Sequence, residues 1–383
     1  MKIVTPMPHQ RRLNAAYAAM MNPKNILLIK SHSMGIGDLL RSSAAWSALK
    51  VKWPSAKVHF LMLSNHAGYP SEALIESHYL LSSVHFVTVK QGQPGAQKQQ
   101  SVPLAQTLHT VLERLVHQPI DLVIDCETGG LKTSWLTWRI ARAKRATSVG
   151  IAQFPLRGFF YDLAAPSTRQ YQAKHGLPRL MDYTEKDFVA LSALGISRGD
   201  TRITLRPSVE GVQWQKQHTT EFSQSMMLVL NIGCGTTDAL VKRPPMNQLV
   251  QCCSALYALK PFHLHLSGAD FEREVNQEFA ALFAAQLQQS GQQAQVTDWS
   301  GQLSLNQLTG LLQLANLVIG SDSGPYHMAV ALGVPTLCWF NFATPASYHH
   351  HKDVACLVTP DTDAFVSAAK RLLKEAVRRN SDE

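Results

Sequence analysis

No apolar run in this chain approaches the roughly 20 residues that a helix needs to cross a bilayer. Runs such as Ile26–Ile29 and Leu122–Ile124 are of strand length. The stretch from Met1 to Met21 is polar and methionine-rich, without the apolar core of an export signal. The six cysteines (Cys126, Cys234, Cys252, Cys253, Cys338 and Cys356) form no C-x-x-C pair and no small-domain framework. Most sit in apolar segments, as reduced, buried thiols of a cytoplasmic protein do. There is no G-x-x-x-x-G-K-[ST] loop. The glycine-rich turn after the first apolar run is not G-x-G-x-x-G, and no acidic residue follows the second strand to hold a ribose, so a dehydrogenase reading is weak. The basic residues form no run interleaved with aromatics, which argues against nucleic acid. With 45% hydrophobic and 16% charged residues, the composition gives no reason to expect disorder.

What is present is material for two cores. A length of 383 residues is too great for one compact α/β unit and comfortable for two. The net charge of +9 is unevenly spread. Residues 1–200 hold 23 Lys and Arg against 12 Asp and Glu, whereas residues 201–383 hold 13 against 15. A polyanion or an anionic membrane face meeting the first half would explain this, and so would ordinary solvated surface.

Short β-branched runs alternate with helical patterns. Strands are expected at 26–30, 57–62, 84–89, 121–125 and 146–150, with helices at 38–52, 71–80, 103–117 and 131–143. Residues 151–222 are irregular apart from a helical pattern at 182–194. A second series follows: strands at 226–231, 262–267, 317–320 and 335–339, and helices at 246–258, 272–288, 304–314 and 324–332. The tail at 362–379 is amphipathic. The pattern predicts two doubly wound domains. The first spans 1–222, with an extension over 1–24. The second spans 223–360, and a closing helix at 361–383 could pack back on the first domain. Ligands of such sheets bind at the carboxyl ends of the strands.

Three strand-to-helix turns could carry chemistry. Ser31 to Asp38 places glycines and then a carboxylate at a helix start, where Asp38 could act on a ligand or simply cap the helix. Gly233-Cys234-Gly235-Thr236-Thr237, followed by Lys242-Arg243, offers hydroxyls and a cation suited to a diphosphate. It reads equally as a polar loop. Ser321-Asp322-Ser323-Gly324-Pro325-Tyr326-His327 combines free N–H groups at a helix start with an imidazole in the first turn. Asp125 and Glu127, after the fourth strand, could hold acceptor hydroxyls or cap the next helix. His349-His350-His351 could ligate a metal, although adjacent histidines in a regular element cannot all face one ion.

Together these loops resemble the lipopolysaccharide (ADP-heptose) heptosyltransferases, glycosyltransferase family 9, with the two-domain GT-B fold. The likeness runs from about Asn25 to about Trp339 and rests on three stretches. These are Gly37-Asp38 with the helix to Trp53-Pro54, Asp121–Asp125 with Gly130–Ser134, and Ser321–His327 with Ala331–Pro335. It implies inverting transfer of heptose from ADP-heptose to the inner core on lipid A, without an essential metal or other cofactor. It places the general base on Asp38 and the cation facing the leaving group on Lys242. The donor nucleotide falls to Thr236, Thr237, Asp270, Asp322, Ser323, Gly324 and His327, and the acceptor to Gly37, Arg41 and Glu127. The implied partners are a nucleotide-sugar donor and an anionic glycolipid at the inner face of the inner membrane. The implied location is cytoplasmic, with peripheral association to that membrane. Three turns depart from the family pattern: the turn before Asp38 is longer than the usual form, Arg243-Pro244 stands where an aromatic is usual, and Asn341-Phe342-Ala343-Thr344-Pro345 replaces a Gly-Pro-Thr-like turn. A GT-B transferase with another nucleotide sugar or a protein acceptor, and a non-catalytic nucleotide-sugar-binding protein, are the alternative readings.

Overall fold

The computed structural model describes residues 22–32, 35–66, 68–91, 100–222, 225–233 and 237–382. The chain divides into two compact units, residues 1–203 and 204–383.

The first unit is built on β1 (Asn25–His32), β2 (Lys57–Ser64) and β3 (Ser83–Thr88), a short antiparallel ribbon of β4 (Lys90–Gln91) and β5 (Gln100–Ser101), then β6 (Leu122–Asp125), β7 (Thr147–Ile151) and β8 (Leu163–Ala165). The six-stranded sheet has the order β3-β2-β1-β6-β7-β8 and every pairing in it is parallel. Successive residues of β1 point to opposite faces, and both faces are covered. Leu27 and Ile29 join Leu61, Leu63 and Val123 beneath helices Leu104–Arg114 and Lys132–Lys144. Trp46 of helix Ile36–Lys52 packs edge-on against Phe60 of β2, with ring centroids 4.8 Å apart.

The second unit repeats the plan with β9 (Met227–Asn231), β10 (His263–Ser267), β11 (Gln295–Asp298), β12 (Leu317–Ser321), β13 (Thr336–Phe340) and β14 (Val354–Val358). Its order, β11-β10-β9-β12-β13-β14, is again all parallel. Both sheets therefore have the strand order of a dinucleotide-type doubly wound fold.

Two expectations about the domain division change. Helix Val209–Phe222, placed with the first domain by the sequence, belongs to the second unit, whose boundary lies at 203/204. The contact with helix Leu305–Leu314 is very close. A Cβ on Gly211 would lie 2.6 Å from the Asn306 carbonyl oxygen, and one on Gly310 would lie 2.5 Å from the Gly211 carbonyl oxygen. The closing helix, Thr362–Asp382, is also part of the second unit. Phe365, Ala369 and Leu372 are fully buried in the same core as Leu228, Leu264 and Trp339. The helix foreseen over 71–80 is shorter, Glu72–Glu76, and the pattern at 182–194 resolves into Lys186–Leu191 followed by a 3₁₀ turn.

Among the described residues no helix is long and apolar enough to cross a membrane. Cys126, Cys252, Cys253 and Cys338 are buried free thiols, and Cys356 is a half-buried one.

Candidate active site

In the first unit, β1 brings Lys30 and Ser31 to the carboxyl edge of the sheet. Lys30 Nζ lies 2.7 and 2.9 Å from the two carboxylate oxygens of Asp187 and donates to Ser42 Oγ at 2.9 Å. Burial alone would lower the Lys30 ammonium, but Asp187 outweighs it and holds the group above its ordinary value. The Ser31 N–H donates to Glu127 Oε1 at 2.8 Å, which fixes the start of the turn.

Helix Ile36–Lys52 then begins, with Asp38 in its first turn, where unpaired N–H groups favour a carboxylate. The Asp38 side chain is 59% exposed and its Oδ1 lies 3.7 Å from Arg41 Nη1. Arg41 is almost wholly buried. Its guanidinium rests 4.7 Å from the centroid of the Tyr183 ring, over which Lys186 Nζ also lies, at 4.0 Å. Desolvation brings the Lys186 ammonium below its ordinary value against the pull of nearby Asp38. The result is an accessible carboxylate backed by two cations on one aromatic shelf.

Of the residues the sequence placed on the acceptor side, Gly37 is half-buried at the head of this helix and Arg41 lies beside Asp38. Glu127 serves the turn through its bond to Ser31, and burial pushes its carboxyl up. Tyr183 and Lys186 were not foreseen. They lie some 145 residues further along the chain, in a stretch whose pattern says only helix.

Asp125 corrects an expectation. Rather than offering its carboxylate to a ligand, it is fully buried. It accepts from Arg157 Nη2 at 3.1 Å and from the Tyr161 hydroxyl at 2.7 Å. A buried acid of this kind needs partners to be tolerated, and they occupy it.

The second unit assembles its cluster at the ends of β9, β12 and β13. Thr236 lies outside the described residues, as does the side chain of Thr237, which opens the 3₁₀ turn Thr237–Lys242. Lys242 closes that turn. Its Nζ donates to Asp322 Oδ2 at 2.9 Å and to the Asp322 carbonyl at 3.2 Å. Asp322 Oδ1 faces His327 Nε2 at 3.6 Å, and His327 Nδ1 lies 3.0 Å from His349 Nε2. Burial works against a charge on Asp322, but His327 and Lys242 together overcome it and bring the carboxyl down to about 2.

Ser323 is the N-cap residue of helix Gly324–Ala331, with Pro325 in the first turn. The Ser323 hydroxyl donates inward to Asn231 Oδ1 at 2.9 Å, which leaves the N–H groups of the helix head as the local anion-seeking donors. Lys242, Asp322, Ser323, Gly324 and His327 are thus brought together. Asp322 and His327 orient Lys242, a role the sequence did not separate from direct donor contact.

Asp270 opens the 3₁₀ turn Asp270–Glu272 that follows β10. It is 83% exposed and pairs with Arg273 Nη2 at 2.9 Å. The buried acid of that turn is Glu272, which accepts the Ala269 N–H at 2.8 Å. It presses so closely on the loop after β9 that a Cβ on Gly233 would lie 1.5 Å from its Oε1. Gly233 is therefore glycine by close approach.

Asn341 is a further unforeseen residue. Its Nδ2 donates to the carbonyls of Val241 and Arg243, at 2.7 and 2.6 Å, and its Oδ1 accepts from Trp339 Nε1 at 3.0 Å. The two carbonyls flank Lys242, so Asn341 brackets the turn that carries the cation. The one signal in the sequence is its place in a turn that departs from the resembled family. The histidine run is accounted for in part: His349 is buried beside His327. Among the described residues no group of three His, Cys, Asp or Glu side chains could hold a metal ion.

Residues 268–363 match the family model of glycosyltransferase family 9 (heptosyltransferase). That stretch includes Asp270, Asp322, Ser323, Gly324, His327 and Asn341. No curated protein matches the chain at the level of sequence. Solved structures match over nearly the whole length. A glycosyl transferase family 9 protein from Veillonella parvula is 16% identical, with a TM-score of 0.67, over 93% of this chain and 99% of its own. The ADP-heptose lipopolysaccharide heptosyltransferase II of E. coli is 15% identical, with a TM-score of 0.60, over 92% and 99%. The E. coli heptosyltransferase WaaC, solved with ADP-2-deoxy-2-fluoro heptose, is 18% identical, with a TM-score of 0.58, over 92% and 99%. The fold is that of the GT-B heptosyltransferases, and together with the family 9 match it supports a glycosyltransferase.

Proposed function

We propose that this chain transfers heptose from ADP-heptose to the inner core of lipopolysaccharide, with inversion at the anomeric carbon and without an essential metal. The observation that carries the reading is the Lys242–Asp322–His327 cluster at the head of helix Gly324–Ala331. A fixed ammonium beside free helix N–H groups suits a departing diphosphate, and all of the cluster but Lys242 lies in the stretch matched by family 9. Two E. coli relatives lend the donor its identity, one described as an ADP-heptose enzyme and one solved with an ADP-heptose analogue.

In this reading Asp38 accepts the proton of the acceptor hydroxyl as that oxygen attacks the anomeric carbon. The bond from that carbon to the diphosphate oxygen breaks, and ADP leaves with its new charge held by Lys242 and the helix head. Thr236, Thr237 and Asp270 are proposed to complete the nucleotide site. Gly37, Arg41 and Glu127 shape the acceptor side, where Lys186, exposed beside the buried Arg41, would receive an anionic glycolipid at the inner face of the inner membrane. Asp38→Ala tests the role of the base. Turnover should fall by roughly 10²–10⁴-fold while the Kd for ADP stays at the wild-type value. Near-native turnover would remove Asp38 from the mechanism.

A further inference from the structure

We infer that the first unit carries a docking surface for an anionic lipid bilayer, made of the turn Phe154–Phe160 and the exposed side of helix Lys132–Lys144. The inference deepens the proposed function and rests on it for what the membrane delivers; the surface itself is argued from its own side chains.

Single exposed apolar residues are ordinary, but here they are grouped. Leu156 is 67% exposed and Phe159 is 84% exposed, with Phe154 and Leu131 also open to solvent. The turn is tied to the start of the helix by the buried Arg157, which donates to Thr133 Oγ1 at 3.4 Å, to Asp125 and to the Glu127 carbonyl. Trp138 and Phe160 meet edge-on with centroids 6.4 Å apart, and the Arg139 guanidinium spans Trp135 and Trp138 at 5.4 and 5.9 Å. Leu156 has a φ of 74°, a left-handed conformation that a leucine adopts only under constraint. Folding therefore spends strain to keep an apolar side chain in water.

The charge of these segments is positive, with Asp162 as an acid at their edge. Residues 131–160 contain six Lys and Arg and no Asp or Glu. Arg157 is buried, Lys144 is bound to backbone carbonyls and Arg142 leans on Asp162, while Lys132 and Arg139 are exposed on the stretch of helix that carries the tryptophans; Arg145, at the C-cap, is exposed at the far, amino edge of the sheet. Apolar tips, interfacial tryptophans and surrounding cations form the pattern that partitions into the headgroup layer of an acidic membrane. The placement agrees. The loops after β6 and β7 lie on the same carboxyl edge of the sheet as the turn bearing Asp38, so a bilayer held there would present its lipids to the edge where an acceptor is expected.

The test is co-sedimentation of the full chain with vesicles of phosphatidylethanolamine and phosphatidylglycerol, against vesicles of phosphatidylcholine alone. The wild type should sediment with the acidic vesicles only, and added salt should release it. Phe159→Ser and Arg139→Glu should each weaken the partition by roughly tenfold. Leu156→Gly should weaken it while the Tm holds or rises, because glycine accepts a positive φ without strain; this separates a docking role from a structural one. ADP binding, measured in parallel, should be unchanged in all three variants. Absence of sedimentation with acidic vesicles at low salt, or variants that sediment like the wild type, would overturn the surface. Equal binding to both kinds of vesicle would do the same, as would exposed residues that serve a protein partner and leave lipid untouched. Failure of the wild type to bind ADP would instead strike the proposed function.

Discussion

Asp322 faces Lys242 and His327 at once, and that is what makes it sensitive to acid. Its carboxyl sits at about 2, below the ordinary aspartate value, so its contribution to stability is complete above about pH 4 and disappears as pH falls toward 2. Buried histidines act at higher pH. His59 is brought down to about 4 and His265 to about 3, in each case first by burial and then by neighbouring histidines, with Lys57 adding to the effect on His59. Each stays neutral in the fold while its unfolded counterpart takes up a proton below about pH 6.5. The unfolded chain thus binds more protons, and stability rises with pH between about 4 and 6.5, by up to about 1.4 kcal/mol per pH unit for each histidine. His59→Gln and His265→Gln should flatten the pH dependence of the unfolding free energy in that window, read by denaturant titration. A slope unchanged in both variants would contradict the assignment. None of this was legible in the sequence, because His59 and His265 lie in strands whose pattern says only that they are apolar and short.

At the scale of elements, the turn Thr237–Lys242 has its position set from outside by Asn341. Asn341→Ala should leave two carbonyls without their donor and let Lys242 drift. The expected result is a several-fold rise in the Kd for ADP, at a stability cost of about 1 kcal/mol for the lost hydrogen bonds. A variant with wild-type ADP affinity would show that the bracket is only structural. The paired glycines are a sharper case. Gly310→Ala puts a methyl group 2.5 Å from the Gly211 carbonyl oxygen, and overpacking of that kind costs typically 1–3 kcal/mol. The midpoint of urea unfolding should fall with an unchanged m-value.

These elements also show where sequence reading ends. The central strands β1, β6, β9 and β12 declare themselves as apolar runs between turn residues. The edge strands β8, β11 and β14 do not: the first is three residues long, the second reads Gln-Val-Thr-Asp, and the third lies next to the histidine run. Helix Val209–Phe222 escaped because its partner lies nearly a hundred residues away, and contacts such as Gly211 with Gly310 and Trp214 with Trp299 assign it to the second unit. The three loops singled out in the sequence each follow a legible strand. Their wiring was not legible, since Arg41 to Tyr183, Lys30 to Asp187 and Asn341 to Val241 are contacts between distant positions.

At the scale of the whole molecule, two sheets of the same strand order each have their own core and present a chemically different carboxyl edge. The edge in the first unit holds an exposed acid among cations. The edge in the second holds a fixed ammonium and a helix head, to which the proposed function assigns a departing diphosphate. The excess positive charge lies in the first half of the chain, and a separate stretch of it surrounds exposed apolar side chains. Thermal unfolding of the full chain with ADP, UDP, GDP or CMP reads nucleotide binding at the second edge. A ligand at a hundred times its Kd stabilises the native state by about 2.7 kcal/mol. ADP should raise the Tm of the wild type above the other three nucleotides and should raise that of Lys242→Ala far less. No shift with any nucleotide, or an undiminished ADP shift in Lys242→Ala, would contradict the account.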